Sequence, residues 1–163
     1  MDDCKQQNAV PGRWLRRCED CGGNQMNTYK FEDLDIGLSE SFEHTVLAED
    51  MRRFLETTED INPLHNDKEY AVEHGFADRV VYGMLSASLI STLGGVYLPG
   101  KYCLIQQVEI KFASPVFIGD RLTVTGKVKE LNESVRQAVI SVEIKNQSGK
   151  KVVRGTLKVG FLE

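Results

Sequence analysis

The stretch Val80–Gly100, with the sequence VVYGMLSASLISTLGGVYLPG, contains no charged residue, although 27% of the chain is charged. A stretch of this length is long enough to cross a bilayer. Its serines, threonine and glycines make it too polar for a membrane span, and only Arg79 and Lys101 flank it with positive charge. A helix without charge on any side must otherwise be surrounded by protein. The stretch therefore predicts a buried central helix and a protein that does not span a membrane.

Four segments that follow this helix alternate between apolar and polar residues, which is typical of strands with one buried face. Turn-forming residues at 117–120 and 146–149 indicate that the strands form an antiparallel meander. A one-faced antiparallel sheet curled around one uncharged helix is an α+β architecture, the hot-dog fold. The edge strands of such a sheet usually lead to dimers in which two sheets join. The apolar positions are Val108, Ile110 and Phe112; Leu122, Val124 and Val128; Ala138, Ile140, Val142 and Ile144; and Val153, Leu157, Val159 and Phe161.

The residues before the central helix predict three further elements. Phe42 to Val46 is typical of a first strand, and Glu49 to Thr58 has the apolar spacing of an amphipathic helix. A second short helix is expected to begin at a cap provided by Asn66 or Asp67 and to end before Gly75.

Between these two helices lies the segment Asp60-Ile61-Asn62-Pro63-Leu64-His65. Pro63 cannot continue a helix and it pushes Asn62 toward an extended backbone, so the segment predicts a bend. A bend can turn the Asp60 carboxylate and the His65 imidazole toward one water molecule, as general acid–base chemistry requires. The spacing alone also fits an aspartate that caps or ends a helix and a surface histidine.

Length and charge restrict the class of protein. The 163 residues are enough for one domain with a sizeable core. The 24 acidic and 20 basic residues give a formal charge of −4 and do not form blocks. This balance argues against nucleic acid as a partner.

The first 27 residues differ from the rest of the chain. They hold Asn, Gln, Gly and mixed charges without apolar periodicity, so we expect residues 1–27 to be a flexible extension of a domain over residues 28–163. They also lack the apolar core that a secretion signal needs, which predicts a cytoplasmic protein.

The cysteines raise the question of a metal site. Cys18 and Cys21 have the spacing of half a zinc ribbon, but no second pair follows at ribbon distance. Cys4 and His44 could complete a ligand set, although nothing in their spacing requires it, and we predict no metal. Cys103 borders a strand and is expected to be a small buried side chain.

Three motifs together resemble those of the MaoC-like (R)-specific enoyl-CoA hydratases. They are DINPLHND at 60–67, YGML at 82–85 and SPVFIGD at 114–120, and the resemblance extends in one register over residues 28–163. The first motif is specific, because it places an acid and then Asn-Pro-Leu-His just before the hot-dog helix. The family usually has histidine where this chain has Tyr82.

The resemblance implies a trans-2-enoyl thioester of coenzyme A, or of acyl carrier protein, as substrate, with no cofactor. Water would add reversibly to give the (R)-3-hydroxyacyl thioester. Asp60 and His65 would hold the water between them. Gly83 would offer a backbone N–H, with the helix dipole behind it, to the negative charge that develops on the thioester oxygen.

Three more residues are candidates for substrate contact, and a partner subunit is expected. Asn62 serves the bend through local hydrogen bonds and could orient the pair. Tyr82 precedes the key glycine. Ser91 lies two helical turns beyond Gly83, where a serine can equally be satisfied by its own helix. The fold implies a homodimer or a dimer of dimers.

Two other functions remain open at the level of sequence. A hot-dog thioesterase would use a carboxylate to activate water at the thioester carbonyl, but such enzymes generally lack the histidine after Asn-Pro-Leu. A non-catalytic module that binds acyl thioesters has no need of both Asp60 and His65. Release of free thiol would identify the first, and binding without turnover the second.

Overall fold

A five-stranded antiparallel sheet forms the centre of the fold in the computed structural model, which describes residues 25–162. The predicted extension over residues 1–27, including Cys4, Cys18 and Cys21, therefore lies almost wholly outside the described residues. The strands lie in the order β1-β3-β4-β5-β2. Their bounds are β1 Ser39–Thr45, β2 Cys103–Phe112, β3 Arg121–Asn132, β4 Gln137–Lys145 and β5 Lys151–Phe161.

The predicted meander is correct for β3, β4 and β5 and wrong for β2, which pairs with β5 at the far edge of the sheet. The reason lies in the connection from β2 to β3, which is not a tight hairpin. Within it, Val116 accepts a hydrogen bond from the Val81 N–H, and Gly119 donates one to the Val46 carbonyl. These bonds hold the connection next to the start of the central helix, and β3 then lies toward the opposite edge of the sheet from β2.

Four α-helices lie between β1 and β2, with bounds α1 Ala48–Thr58, α2 Pro63–Asn66, α3 Lys68–Glu73 and α4 Gly83–Thr92. One π-helical turn, Leu93–Tyr97, continues α4. Short 3₁₀ turns occur at Phe31–Asp33 and Glu133–Val135. Asp67 accepts a hydrogen bond from the Tyr70 N–H and so caps α3, as predicted. Within residues 25–162, no helix has the length and apolar character needed to cross a membrane.

The side of α4 that faces the sheet is buried, which confirms the prediction of a central helix. Ser86, Ala87 and Ile90 are buried on α4, and Leu93 is fully buried in the turn that follows. Leu93 packs so closely on β3 that a Cβ at Gly126 would lie 2.8 Å from its Cδ2 atom. The core around this contact consists of the inward residues of β3, β4 and β5, among them Leu122, Val124, Val128, Ile140 and Leu157.

Two surfaces are more exposed than the sequence predicts. The opposite stripe of α4, with Met84, Ser88 and Ser91, is uncharged but open to solvent. On β2, the apolar positions Val108 and Phe112 are 43% and 53% exposed, so the expected burial of this strand is wrong within the single chain. The cause is the edge position of β2, which has a neighbouring strand on one side only among the described residues.

Candidate active site

The Asp60–His65 segment is a bend that contains one turn of helix. Glu59 directly follows α1, and its left-handed backbone (φ 55°) changes the direction of the chain. The Asp60 Oδ1 atom accepts a hydrogen bond from the Asn62 N–H at 3.1 Å. Pro63 then occupies the first position of α2, where the missing N–H is not needed, and Asn62 Oδ1 caps the turn by accepting from the Leu64 N–H at 3.0 Å. The proline that was expected only to break a helix thus begins one.

His65 is held in one orientation by the backbone. Its Nδ1 atom lies 2.7 Å from the carbonyl oxygen of Val80. A carbonyl oxygen only accepts, so Nδ1 carries the hydrogen, and in the neutral ring Nε2 is left as an acceptor. The Val80 N–H in turn donates to the Leu64 carbonyl, which fixes α2 against the residues just before α4.

Tyr82 is buried beside this histidine, with 1% of its surface exposed. The centroids of the Tyr82 and His65 rings are 4.2 Å apart, and the Phe54 ring lies 5.0 Å from the Tyr82 ring. The Tyr82 hydroxyl donates to the Asp60 carbonyl oxygen at 2.8 Å and accepts from the Asn66 Nδ2 atom at 3.1 Å. The hydroxyl of Tyr82, a predicted substrate-contact residue, is therefore bound to the Asp60–Asn66 segment.

Gly83 is the first residue of α4, and Tyr82 before it forms no side-chain cap. The first N–H groups of a helix have no acceptor within it, and the helix dipole makes this end favourable for negative charge. A Cβ at Gly83 would lie 3.2 Å from two carbon atoms of the Phe112 ring. Because glycine has no side chain, the N–H at the start of α4 stays accessible although the Phe112 ring lies close by.

Two cavities meet at His65, Gly83 and Phe112, since these three residues line both. The larger cavity has a volume of about 850 Å³, and Asp60, Tyr82 and Ser91 also line it. The smaller one, of about 340 Å³, is mainly apolar. Its other walls include Phe76, Val80, Val116, Val152 and Val153, together with the hydroxyl of Ser86, which is buried and has no hydrogen-bond partner in the described chain.

The structure thus brings most of the predicted site residues to one place. Asp60, His65, Gly83, Tyr82 and Ser91 all line the larger cavity, whereas Asn62 lines neither cavity and serves as the cap of α2. A substrate contact by Asn62 stays a prediction.

Sequence reasoning missed two residues of the site. Phe112 appeared only as an apolar strand position, although it lines both cavities. Asn66 appeared only as a possible helix cap, although its side chain bonds to Tyr82. Asn66 could have been identified from the sequence, because it lies inside the DINPLHND motif.

Among the residues that the structure describes, the groups outside the cavities show no sign of a second reactive centre. Burial raises the pKa of the Cys103 thiol to about 11, so at neutral pH it is protonated and a poor nucleophile. His44 contacts Asp50 at 3.2 Å beside the start of α1. Among residues 25–162, no three potential ligands lie close enough together to hold a metal ion. The hypothetical zinc ligands Cys4, Cys18 and Cys21 lie outside the described residues.

The fold and the site together define a hot-dog protein with an acid and an imidazole at the start of its central helix. The chain belongs to the MaoC-like family, because the model described as MaoC like domain matches residues 34–152.

Characterised relatives are similar over most of the chain. An (R)-specific enoyl-CoA hydratase of Aeromonas caviae is 35% identical over 124 residues, which cover 76% of this chain and 92% of the relative. A 3-hydroxybutyryl-CoA dehydratase of Methylorubrum extorquens is 34% identical over 114 residues, or 70% of this chain and 73% of the relative. The solved structure of R-hydratase PhaJ1 from Pseudomonas aeruginosa has a TM-score of 0.79 and 29% identity, and the match covers 85% of this chain and 88% of that one.

Proposed function

We propose that the chain is an (R)-specific enoyl-CoA hydratase, a hydro-lyase that reversibly adds water to trans-2-enoyl-CoA to give (R)-3-hydroxyacyl-CoA. The observation that carries the proposal is the meeting of two cavities at His65 and Gly83, with Asp60 on the wall of the larger one. An enoyl thioester has an acyl chain on one side of its reacting carbons and a carrier arm on the other. Two cavities that meet at the catalytic groups suit such a substrate, and the relatives' activities support the same assignment.

Activation of water is assigned to His65 and Asp60. Because the Nδ1 hydrogen of His65 is bound to Val80, the Nε2 atom of the neutral ring is free to accept a proton from water. The Asp60 carboxylate accepts the other hydrogen and orients the molecule. As the water oxygen bonds to the β-carbon of the substrate, its proton passes to this pair.

Stabilisation of the developing negative charge is assigned to Gly83. When the β-carbon is attacked, the electrons of the double bond move to the thioester oxygen, and a donor already in place lowers the barrier. The Gly83 N–H at the start of α4 is such a donor. The α-carbon then takes a proton from the pair on the same face, so that one water is consumed and His65 returns to its neutral form. This chemistry needs a base, an acid and an oxyanion donor, and we propose no cofactor.

The proposal is tested by assaying the purified full chain against trans-2-enoyl-CoA substrates from crotonyl-CoA upward, and against enoyl-acyl carrier protein. We expect loss of the ultraviolet absorption of the conjugated thioester and formation of the (R)-3-hydroxyacyl product by chiral analysis. Absence of hydration with every substrate would overturn the proposal. Release of free thiol from saturated acyl-CoA would indicate a thioesterase, and binding without turnover a non-catalytic module.

Within residues 25–162, β2 pairs with a strand on one side only, and this open edge supports a second proposal, that the protein is a homodimer. Five apolar side chains at this edge and at the start of α4 are between 38% and 60% exposed, and an exposed strand edge of this kind is a surface that proteins usually cover. Four of them also line the larger cavity, so a second copy at this edge would enclose it. A dimer of dimers stays a prediction. The five residues are Met84, Leu104, Ile105, Val108 and Phe112.

Val108→Asp is expected to convert the dimer to a monomer, because it places a charge in the apolar surface that the second copy would cover. Ser41→Asp is the matched control, since Ser41 lies on β1 at the opposite edge of the sheet. Sedimentation equilibrium gives the mass of each variant. A monomeric wild type, or a Val108→Asp variant that remains dimeric, contradicts this interface.

A further inference from the structure

We propose that Tyr82 is a positioning residue that fixes Asp60 and His65 relative to each other and to Gly83. The inference rests on the proposed hydration, and it assigns Tyr82 no contact with the reacting atoms. It replaces the substrate contact that the sequence predicted for this side chain.

The first observation is that one rigid side chain contacts both members of the pair. Its ring packs against the His65 ring at 4.2 Å between centroids, and its hydroxyl donates to the Asp60 carbonyl oxygen at 2.8 Å. The residue is also joined directly to Gly83 by a peptide bond. All three groups of the proposed mechanism therefore depend on where Tyr82 lies.

The second observation is that Tyr82 itself has little freedom to move. It is 1% exposed, and the Phe54 ring packs against it at 5.0 Å. Its hydroxyl has one hydrogen, which goes to Asp60, and it accepts a second bond from the amide of Asn66. Asn66 in turn donates to the Asn62 carbonyl at 3.1 Å.

The segment that Tyr82 binds needs such support. Asp60, Ile61 and Asn62 are exposed, and they follow the left-handed residue that ends α1. Apart from the bonds to Tyr82 and Asn66, this segment is held by a hydrogen bond from the Asp60 N–H to Thr58 at the end of α1 and by hydrogen bonds within the bend itself. A displacement of about 1 Å at a reacting group can cost on the order of 100-fold in rate. Loss of the Tyr82 hydroxyl is therefore expected to act through the position of Asp60.

Tyr82→Phe tests this role because it keeps the ring on His65 and removes only the hydroxyl. We expect kcat for enoyl-CoA hydration to fall by about 10- to 100-fold while KM changes by less than about threefold, since alignment and not binding is lost. Tyr29→Phe is the matched control. It removes the hydroxyl of a half-buried tyrosine that donates to Glu40 at 2.7 Å, away from both cavities, and it should keep wild-type kcat.

A double variant separates positioning from direct contact. In a His65→Gln background the pair is already disabled, so adding Tyr82→Phe should cause little further loss in kcat. Equal losses in both backgrounds, or a rise in KM alone, would show that Tyr82 contacts the substrate and would overturn the inference. If Tyr82→Phe does not fold, Asn66→Ala removes the other partner of the hydroxyl at an exposed position, and it should lower kcat at constant KM.

The outcomes distinguish this inference from the proposed function. Wild-type protein that hydrates no enoyl thioester overturns both. Active wild type together with a fully active Tyr82→Phe variant, or a fully active Asn66→Ala variant where the first is unfolded, overturns the positioning role and leaves the hydratase in place.

Discussion

Replacing His65 by glutamine is expected to lower kcat for the hydration of crotonyl-CoA by on the order of 100-fold or more, with the fold intact. The glutamine amide can still donate to the Val80 carbonyl, which His65 Nδ1 contacts at 2.7 Å, but it has no basic nitrogen to take the proton of water. Asp60→Asn is expected to give a loss of similar size. Its amide oxygen can still accept from the Asn62 N–H, whereas the negative charge is gone.

Each substitution has a matched control at one end of the neighbouring helix α3. His74→Gln changes a second histidine whose Nδ1 atom also contacts a backbone carbonyl, that of Tyr70 at 2.8 Å, at an exposed position outside both cavities. Asp67→Asn changes a helix cap for another good cap. Initial rates across substrate concentrations and thermal melting of all four variants provide the comparison. If His65→Gln and His74→Gln have equal kcat values, the acid–base assignment is wrong.

The central helix and most strands could be predicted because their signals are local. The absence of charge from Val80 to Gly100 indicates that α4 is buried. The alternation of apolar and polar residues indicates the strands β3 to β5. The location of β2 could not be predicted, because strand pairing is set by distant contacts. Gly119 and its neighbours are typical of a hairpin turn, yet Gly119 bonds to Val46 beyond β1.

The site was also predicted only in part, because some of its residues have local sequence signals and others depend on distant contacts. The motif around Pro63 and the resemblance it carries identified Asp60, His65 and Gly83 as candidates. The direction of the Tyr82 hydroxyl was out of reach, since its acceptor is a backbone carbonyl, which every residue possesses and which leaves no trace in the sequence. The helical turn after Asn62 was missed because a proline was interpreted only as a break and not as a first helical residue.

The role of the Gly83 N–H can be isolated with two substitutions of similar bulk. Gly83→Pro removes the donor, and proline is well tolerated at the first position of a helix. The backbone of Tyr82, at φ −51° and ψ 124°, lies in the region that a residue before proline adopts. Gly83→Ala keeps the donor and adds a Cβ 3.2 Å from the Phe112 ring, which is half exposed and has room to shift.

We expect kcat for Gly83→Pro to be about 100- to 1,000-fold below that of Gly83→Ala, the range found when one oxyanion donor is lost. Gly83→Ala measures the effect of crowding Phe112. The ratio of kcat between the two variants therefore measures the loss of the N–H and of the space next to it. Crowding that blocks the substrate raises KM, whereas loss of a donor that acts in the transition state lowers kcat. Steady-state kinetics of both variants therefore separate the two effects. Equal kcat values for the proline and alanine variants would show that the negative charge on the thioester oxygen is stabilised elsewhere than at the start of α4.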